Sequence, residues 1–414
     1  MLDVLDIINI VAIVMIALII PFSLWLAYFR YRSAKAAPKD YPEAAPHRIA
    51  VLICARNEAV VIRQSVESFK AQEYPKDKFE VFVVAHNCTD DTAEIAKASG
   101  AHVIIHNDPG HRRKADAINA GINYINGFGE SRAAEGKQSQ NYDYLVIFDA
   151  DGVAEPDYFE QMNRALSAGA DIAQEYIIPG NFDTNIISKL AGLLYMQLMA
   201  SNAIGLDRAG LPVTLYGCGF AMRMELISKG WHTRTLVEDF ESMVLATLAG
   251  KKIVLADKAK ASADMPISLR IALRQRRRWT MGDAQCTKLY IKDYLRNLRR
   301  LGMPGVKVTI ELLMIPLMIL LGYGVVLELI LIALRGISRA ALIIIISAII
   351  VIYLTISISA CSALRKYGRT IKGNMAAVLL SPLWASVMVI FAMQSPFVRD
   401  VEWKEIPRSG DNPS

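Results

Sequence analysis

The sequence is poor in cysteine and lacks any pair of cysteines spaced as a redox or metal-binding motif. Its 414 residues include five cysteines, and none of them forms a CxxC arrangement. This spacing argues against a disulfide framework and against a structural zinc site. We therefore expect a reduced, cytoplasmic setting for them. The five residues are Cys54, Cys88, Cys218, Cys286 and Cys361.

A strong charge of either sign is also missing. The chain carries 46 Lys and Arg against 40 Asp and Glu, a formal net charge of +6. The basic residues cluster beside apolar runs, which favours membrane lipids or phosphate groups as partners and argues against nucleic acid.

Charged residues are nearly absent from four long apolar runs. These occupy residues 7–29, 306–334, 340–360 and 375–398. Because about 20 apolar helical residues cross a hydrocarbon core of about 30 Å, we predict one spanning helix before a polar middle section and three after it. The first run follows an acidic start and is too long for a cleaved signal peptide, so we predict a retained anchor.

Basic residues next to these runs predict the orientation. Arg30, Arg32 and Lys35 follow the first run, and the loop 361–374 carries four basic residues and no acidic one. Because cytoplasmic loops are enriched in Lys and Arg, the middle section is predicted to be cytoplasmic, in an integral protein of the plasma (inner) membrane.

The middle section alternates strand-like and helix-like runs. The predicted strands are 48–55, 79–85, 101–106, 144–150 and 171–178, and the predicted helices are 58–71, 92–99 and 115–125. This alternation indicates βαβ units and a mostly parallel sheet covered on both faces. We expect a mobile surface loop at 127–143 and an apolar helix at the membrane interface over 185–206.

Two aspartates stand at the end of one predicted strand, in "LVIFDADG" (145–152). Asp149 and Asp151 in a D-x-D pair can hold Mg²⁺ or Mn²⁺ and leave positions for a diphosphate. Such a pair alone is also common on surfaces. Polar clusters at 55–58 and 86–91 follow two other strands, however, and ligands of such sheets bind at the carboxyl ends of strands. The pattern predicts a nucleotide site.

Six motifs together carry a resemblance to a known family. They are "ARNE" (55–58), "HNCTDDT" (86–92), "RRKADAINAG" (112–121), "FDAD" (148–151), "VED" (237–239) and "QRRRW" (275–279). In this order they resemble the membrane-embedded family 2 glycosyltransferases, whose members include cellulose, chitin, hyaluronan and poly-N-acetylglucosamine synthases.

The resemblance implies an α/β, Rossmann-like GT-A glycosyltransferase domain with an α-helical transmembrane region, one span before it and about three after. The domains expected are an anchor at 1–35, the GT-A domain at 48–265, an amphipathic interface helix at 266–300, three spanning helices at 306–398 and a tail at 399–414.

The resemblance also implies catalytic roles. Asp239 would be the base that takes a proton from the acceptor hydroxyl. Glu238 is a further catalytic candidate, although we expect it to point elsewhere because adjacent helix residues do not share a face. An acidic first turn of a helix would look similar. The metal held by Asp149 and Asp151 would oppose charge on the departing diphosphate.

The implied donor-binding residues are Asn57, Glu58, His86, Lys114, Asp149 and Arg278. Lys114 follows Arg112 and Arg113 at a predicted helix start, where basic residues are unfavourable without an anion partner. Many relatives have an aspartate at the position of His86, and that carboxylate recognises uracil. A neutral imidazole can still accept a hydrogen bond, so a UDP-sugar donor is inferred from the resemblance.

The implied acceptor-binding residues are Gln275, Trp279, Gly217, Cys218 and Gly219. Gln275, Arg278 and Trp279 lie at i, i+3 and i+4, on one helical face. The basic run 274–278 is also compatible with a membrane-surface face. Glycines in "LYGCGFAMR" (215–223) permit close backbone approach, although a bulge in an ordinary strand would look the same.

The sequence therefore predicts an inverting glycosyltransferase that elongates a cell-surface polysaccharide, and "QRRRW" favours a processive enzyme. A single transfer to a lipid-linked acceptor is the alternative, and a non-catalytic membrane scaffold is a third. The expected partners are a nucleotide-sugar donor, a glycan or lipid-linked acceptor, membrane lipids, and a second copy or subunit that completes a channel.

Overall fold

The structure is a computed structural model, and it describes residues 4–34, 36–110, 113–134, 141–336 and 339–398. The chain forms two compact units. One comprises Met1–Ala36, Asp183–Ala209 and Pro266–Val401, and we call it the helical unit. The other comprises Ala37–Phe182, Gly210–Met265 and Glu402–Ser414, and we call it the sheet unit.

Helices and strands alternate in the sheet unit, whereas the helical unit contains helices. The helices are, in chain order, α1 Val4–Ala17, α2 Ile19–Ala34, α3 Ile62–Lys70, α4 Thr92–Ala98, α5 Lys114–Ala134, α6 Tyr158–Ser167, α7 Ile186–Gln197, α8 Ile204–Arg208, α9 Glu238–Leu248, α10 Leu269–Leu312, α11 Met314–Arg335, α12 Arg339–Lys366 and α13 Met375–Gln394. The strands are β1 Ile49–Ala55, β2 Phe79–His86, β3 His102–His106, β4 Tyr144–Asp149, β5 Val153–Ala154, β6 Ile172–Pro179, β7 Gly219–Arg223 and β8 Ile253–Ala263.

The eight strands form one mixed sheet in the order β3-β2-β1-β4-β7-β6-β8-β5. All five predicted strands are present. Of the seven strand pairings, four are parallel and three antiparallel. The parallel pairs that we expected join β3, β2, β1 and β4 and, separately, β6 and β8. Strand β7 lies between these two groups and runs antiparallel to both of its neighbours. Apolar periodicity does not encode strand direction, so the sequence pattern could not reveal this.

An aromatic cluster on one face of the sheet supports the end of β4. Phe148 meets Phe69 edge to face at a centroid distance of 4.8 Å, and Phe69 stacks on Phe159 at 5.4 Å. All three side chains are fully buried, and burial of each contributes about 1.5–3 kcal/mol. Because Phe148 directly precedes Asp149, this packing fixes the backbone that carries the first aspartate of the D-x-D pair.

The polar segment after residue 126 is not the loop that we predicted at 127–143. Helix α5 continues to Ala134, and residues 135–140 lie outside the described part of the chain. Aromatic packing explains the longer helix. Phe128 contacts Phe82 of β2 at 5.5 Å and stacks on Tyr124, one turn earlier, at 5.9 Å.

The first apolar run forms two helices rather than the single span that we predicted. Helix α1 ends at Ala17 and α2 begins at Ile19. Pro21, in the first turn of α2, has no N–H to donate to the carbonyl of Ala17, so one continuous hydrogen-bond ladder cannot form. Within the described residues, Val4–Ala17 is an apolar helix shorter than a span.

Three helices that follow the sheet unit are long and apolar enough to cross a membrane, which confirms the predicted number. They are Leu269–Leu334, Ile345–Lys366 and Lys372–Phe397. The first contains a break at Gly302, whose φ of 60° and ψ of −145° are not helical. The predicted interface helix 266–300 thus corresponds to the part of α10 before Gly302, and its position at a membrane surface stays a prediction.

The apolar segment 185–206 is helical, as predicted. Helix α7, a π-helical turn at Leu198–Ala203 and α8 follow one another without interruption. Asn185 caps the start by accepting hydrogen bonds from the N–H groups of Ile187 and Ser188 at 2.9 and 3.0 Å. The predicted tail 399–414 lies outside the described residues.

Candidate active site

Lys114 is the centre of a polar cluster in the sheet unit. It is the first residue of α5 and is only 9% exposed. Its Nζ lies 2.6 Å from Asp149 Oδ1 at the end of β4 and 3.0 Å from Glu238 Oε1 at the start of α9. It also donates to the carbonyl of Gly217 at 3.2 Å. The structure thus brings together four of the residues predicted from separate motifs.

These charges stabilise one another. Burial alone lowers the pKa of Lys114, but the carboxylates of Asp149 and Glu238 outweigh it and raise that pKa well above its usual range. Burial raises the pKa of Asp149, and the charge of Asp151 raises it further, while the Lys114 ammonium opposes both. Lys114 is therefore a permanent cation beside the D-x-D pair.

Gly217 lies where the cluster has no room for a side chain. A Cβ at this position would be 3.1 Å from Lys114 Nζ, 3.3 Å from Asp239 Oδ2 and 3.6 Å from Glu238 Oε1. Asp239 Oδ1 accepts from the N–H of Phe240 at 2.8 Å. The backbone therefore holds one carboxylate oxygen of Asp239, and the other is turned toward Gly217.

Our expectation that Glu238 points away from Asp239 is wrong. Both carboxylates approach Gly217, and Glu238 contacts Lys114 directly. The two residues open α9, and the preceding Val237 has non-helical backbone angles (φ −128°, ψ 71°). At a helix start no earlier turn blocks the side chains, and the longer Glu238 reaches the same place as its neighbour.

Gln174 is a site residue that the sequence analysis missed. It is fully buried in β6. Its Oε1 accepts from the N–H of Tyr216 at 2.8 Å, and its Nε2 donates to the carbonyl of Gly219 at 2.9 Å. This amide therefore clamps both ends of the turn that carries Gly217. The available signal was a polar pair, Gln174 and Glu175, inside an otherwise apolar strand.

The predicted acceptor residues 217–219 lie in two different environments. Gly217 faces the cluster, as described above. The N–H of Asp149 donates to the carbonyl of Cys218 at 3.2 Å, and burial raises the pKa of the Cys218 thiol well above its usual range. Gly219 faces the sheet interior, where a Cβ would lie 2.2 Å from Glu175 Oε2. Packing thus requires a glycine at this position, and its assignment as an acceptor contact stays a prediction.

Asp149 and Asp151 fit a hard divalent cation. Asp149 ends β4 with its side chain 36% exposed, and Asp151 follows in the partly exposed turn. Within the described residues no group of three or more His, Cys, Asp or Glu side chains could hold a metal ion. A Mg²⁺ or Mn²⁺ site at Asp149 and Asp151 therefore stays a prediction, and phosphate oxygens and water would have to complete it.

The loops after β1 and β2 are tied together. Asn57 Oδ1 accepts from the N–H of Thr89 at 2.7 Å, and the N–H of Glu58 donates to Thr92 Oγ1 at 2.8 Å. Asn57 and Asn87 both have positive φ, 55° and 51°. Non-glycine residues in this region are strained, and such strain clusters at functional sites. These bonds hold Asn57 and Glu58 at the carboxyl end of β1, the strand that pairs with β4.

His86 is fully buried, and its role in donor binding stays a prediction. Asn87 is oriented by the backbone of Asp108, which accepts from its Nδ2 and donates to its Oδ1. Asn87 Nδ2 therefore donates to His86 Nε2 at 3.3 Å. His86 must then carry its proton on Nδ1, which meets Nδ1 of His106 at 2.9 Å. His106, which is partly exposed, keeps its own proton on Nε2.

Comparison with known proteins identifies the family. A family model described as glycosyltransferase-like family 2 matches residues 46–282, more than half of the chain. The chain belongs to this family. The model covers the whole cluster around Lys114 and Gly217, as well as the "QRRRW" motif.

Curated relatives of this family 2 glycosyltransferase are moderately similar. A probable glycosyltransferase, YdaM of Bacillus subtilis (strain 168), is 27% identical over 267 residues, which cover 61% of this chain and 59% of the relative. Probable glucomannan 4-beta-mannosyltransferase 10 of Arabidopsis thaliana is 29% identical over 183 residues, 42% of this chain and 33% of the relative. The matched part thus spans less than two thirds of either relative.

A solved structure has a similar fold. The mannosyltransferase PcManGT from Pyrobaculum calidifontis, in complex with GDP-Man and Mn²⁺, superposes with a TM-score of 0.62 at 15% identity. The match covers 94% of this chain and 98% of that one. This chain therefore shares the overall fold of that solved mannosyltransferase.

The remaining predicted residues of this glycosyltransferase belong to other parts of the chain. Gln275, Arg278 and Trp279 lie in α10 of the helical unit and are partly exposed. Arg112 lies outside the described residues. Arg113, next to the start of α5, already has an anionic partner, because it donates to a carboxylate oxygen of Asp116 at 3.1 Å.

Proposed function

We propose that the protein is an inverting, metal-dependent glycosyltransferase that transfers a hexose from a nucleotide sugar to a growing cell-surface glycan. One observation carries the proposal. The Lys114 ammonium and the carboxylates of Glu238 and Asp239 approach Gly217, and Lys114 also contacts Asp149 of the D-x-D pair. The site thus combines a cation, an aspartate pair that could bind a metal ion, and two further carboxylates. This combination suits a reaction in which a diphosphate leaves and a hydroxyl loses its proton.

The donor would lie along the carboxyl ends of four neighbouring strands. The order β3-β2-β1-β4 places Asp149 at one side and the His86–His106 pair at the other, with Asn57 and Glu58 between them. Adjacent strands are about 4.8 Å apart, so this row extends over about 14 Å. We assign the diphosphate to the β4 side and the nucleobase to the β2–β3 side, where His106 Nε2 would donate to a base carbonyl.

Asp239 would act as the general base. Its Oδ1 is fixed by the N–H of Phe240, so Oδ2 would take the proton as the acceptor oxygen attacks the anomeric carbon. Direct attack of this kind inverts that centre. Lys114 would exchange part of its contact with Asp149 for the diphosphate. A metal ion bound by Asp149 and Asp151 would supply electrophilic stabilisation of the leaving diphosphate.

The acceptor is proposed to be a polysaccharide that the enzyme elongates processively. The mannosyltransferase names of the plant relatives and the "QRRRW" motif support this version. A single transfer to a lipid-linked acceptor is favoured by a different observation, because only three helices of the described chain are long enough to span a membrane. The positive-inside pattern supports a cytoplasmic catalytic domain at the plasma membrane.

The test uses purified protein in detergent with Mn²⁺ or Mg²⁺ and a panel of UDP- and GDP-linked hexoses. UDP is the carrier that the resemblance implies, and GDP-Man is bound by the solved relative. We expect one donor to give long product. Asp239→Asn should lower turnover by about 10²–10⁴-fold while nucleotide binding, measured by calorimetry, persists.

Glu238→Gln is the matched comparison, since it also removes one carboxylate charge near Gly217. It should strengthen donor binding more than Asp239→Asn does, because Glu238 contacts Lys114 and competes with the diphosphate for that cation. Product of only one added sugar would favour the single-transfer version. Nucleotide binding without turnover of any donor would contradict the proposal.

A further inference from the structure

The four arginines around the "QRRRW" motif do not share one environment. Arg274 and Arg277 are exposed and Arg278 is partly exposed, whereas Arg276 is 4% exposed. All four lie in the first turns of α10 in the helical unit. A solvated basic face therefore accounts for two or three of them and leaves the burial of Arg276 to be explained.

Arg276 lies among aromatic rings. Its guanidinium carbon is 4.8 Å from the ring centre of Trp279, one turn later on α10, and 5.6 Å from that of Trp384 on α13. Tyr195 of α7 meets Trp279 edge to face at 6.1 Å. Three helices thus build a cage around one cation, which we call the Arg276 cage.

No negative charge balances this cation within the described residues. The only ionisable group that acts on Arg276 there is the hydroxyl of Tyr195, and no described oxygen accepts a hydrogen bond from its guanidinium. Two aromatic faces contribute about 1–2 kcal/mol each. Removing a cation from water costs several kcal/mol unless it is paired and hydrogen-bonded, so the rings offset only part of that cost.

A second donor in the same cage is also unsatisfied. The indole Nε1 of Trp384 is buried, and no described residue accepts a hydrogen bond from it. Buried indole N–H groups usually have a partner. Trp384 therefore adds an unsatisfied donor to the cage, on a ring whose centre is 5.6 Å from the Arg276 guanidinium carbon.

We propose that the Arg276 cage binds a phosphate group. Hydroxyls of a neutral glycan would satisfy the two donors but not the charge, whereas a phosphate oxygen satisfies both. The planar guanidinium fork matches phosphate oxygens in pairs. The phosphate can come from a lipid headgroup beside the spanning helices or from a free phosphate ester. This site does not depend on the proposed sugar transfer.

The test measures phosphate binding to delipidated protein in a non-ionic detergent. The probes are inorganic phosphate and dihexanoyl phosphatidate, and the readouts are tryptophan fluorescence and the melting temperature. We expect at least one probe to change both. Inorganic phosphate acting alone would identify a free phosphate, and phosphatidate acting at much lower concentration would identify a lipid.

Variants then assign the binding to the cage. Arg276→Met should weaken binding of the phosphate probe about tenfold, because a charge-assisted hydrogen bond is lost. Trp384→Phe keeps an aromatic ring but removes the indole N–H donor. It should weaken binding of the phosphate probe about threefold. Arg277→Met removes the same charge from the exposed neighbour and should leave binding unchanged. If Arg276→Met does not fold, Arg276→Lys and Trp384→Phe carry the same comparison.

Three results would overturn the proposal. The first is equal loss in Arg277→Met, which would show general surface attraction. The second is no response to either phosphate probe. The third is a response to a neutral oligosaccharide that Arg276→Met abolishes while phosphate has no effect, which would make the cage a glycan site.

Discussion

The two units bury a cation in opposite ways. In the sheet unit, Lys114 is 9% exposed and contacts two carboxylates and a carbonyl. In the helical unit, Arg276 is 4% exposed and contacts aromatic rings without any carboxylate in the described chain. Carboxylates of the sheet unit thus neutralise Lys114, whereas aromatic rings position Arg276 without neutralising it.

The difference indicates what each site can bind. A buried cation that already has two carboxylates exchanges partners when an anion arrives, and so it suits a diphosphate that must enter and leave. A buried cation with no counter-charge gains most from a bound anion and should hold it longer. Glu175 shows a third solution, since burial raises the pKa of this carboxyl well above its usual range and the group keeps its proton.

The largest predicted effect is that of Lys114→Met. It leaves Asp149 and Glu238 without their shared cation, so we expect a loss of about 3 kcal/mol in the free energy of unfolding and loss of donor binding. Urea denaturation of the isolated variant and calorimetry with the nucleotide would measure these. Arg276→Met leaves no buried carboxylate behind and should be neutral or stabilising.

Arg113→Met is the control for that comparison. It removes the same charge from the neighbouring residue, which is 45% exposed and pairs with Asp116. An exposed pair is worth about 0–1 kcal/mol, so little change is expected. Equal destabilisation by Arg276→Met and Lys114→Met would refute the contrast between the two cations.

Gly217→Ala should crowd the paired cation without removing any charge. The added Cβ would lie 3.1 Å from Lys114 Nζ and 3.3 Å from Asp239 Oδ2. A displacement of catalytic groups by a fraction of an ångström to 1 Å lowers turnover by about 10²-fold. Steady-state kinetics should show the loss in kcat.

Gly127→Ala is the matched control for this substitution. Gly127 lies in α5 with no heavy atom within 4 Å of its would-be Cβ. Alanine there should leave kcat unchanged and stabilise the helix by about 1 kcal/mol. Unchanged kcat in Gly217→Ala would show that the turn is not close to the reaction.

Gln174→Met tests the clamp behind the cluster. The variant keeps the volume but leaves the N–H of Tyr216 and the carbonyl of Gly219 without their partner. We expect about 2 kcal/mol lower stability and about tenfold lower kcat with little change in the donor KM. A purely structural role would lower stability without a change in kcat, once turnover is measured well below the melting temperature.

The last prediction concerns the buried acid Glu175. The pKa of Glu175 in the folded protein is far above its ordinary value of 4.5, so the native state binds a proton that the unfolded state releases. Stability should therefore fall as the pH rises above 4.5 toward the folded pKa, by about 1.4 kcal/mol per pH unit from this group. Glu175→Gln should remove this slope. Melting curves from pH 5 to pH 8 would show it, and an unchanged slope would contradict the assignment.

Local patterns predicted the strands and the site motifs well. The five predicted strands are present because continuous apolar runs such as 49–55 require burial on both faces. Asp149 at the end of β4 and Lys114 at the start of α5 also follow from their motifs. The family membership rests on the same motifs and is confirmed.

Other features depended on contacts between distant segments. Nothing in the sequence of 215–223 shows that β7 runs antiparallel between β4 and β6. The helix at 127–134 depends on Phe128 packing against Phe82 of another element. The direction of Glu238 depends on Lys114, which is 124 residues earlier in the chain. Helical periodicity alone predicted the wrong direction.

The sequence by itself determined which side chains could take part in chemistry, because strand-end polar motifs and apolar runs are local and have fixed spacing. It also determined that three helices able to span a membrane follow the sheet unit. Only the tertiary structure decided which charge meets which. Coulomb and hydrogen-bond energies depend on distances of about 3 Å between atoms. Folding brings carboxylates to that distance from Lys114, whereas it brings no described carboxylate to that distance from Arg276.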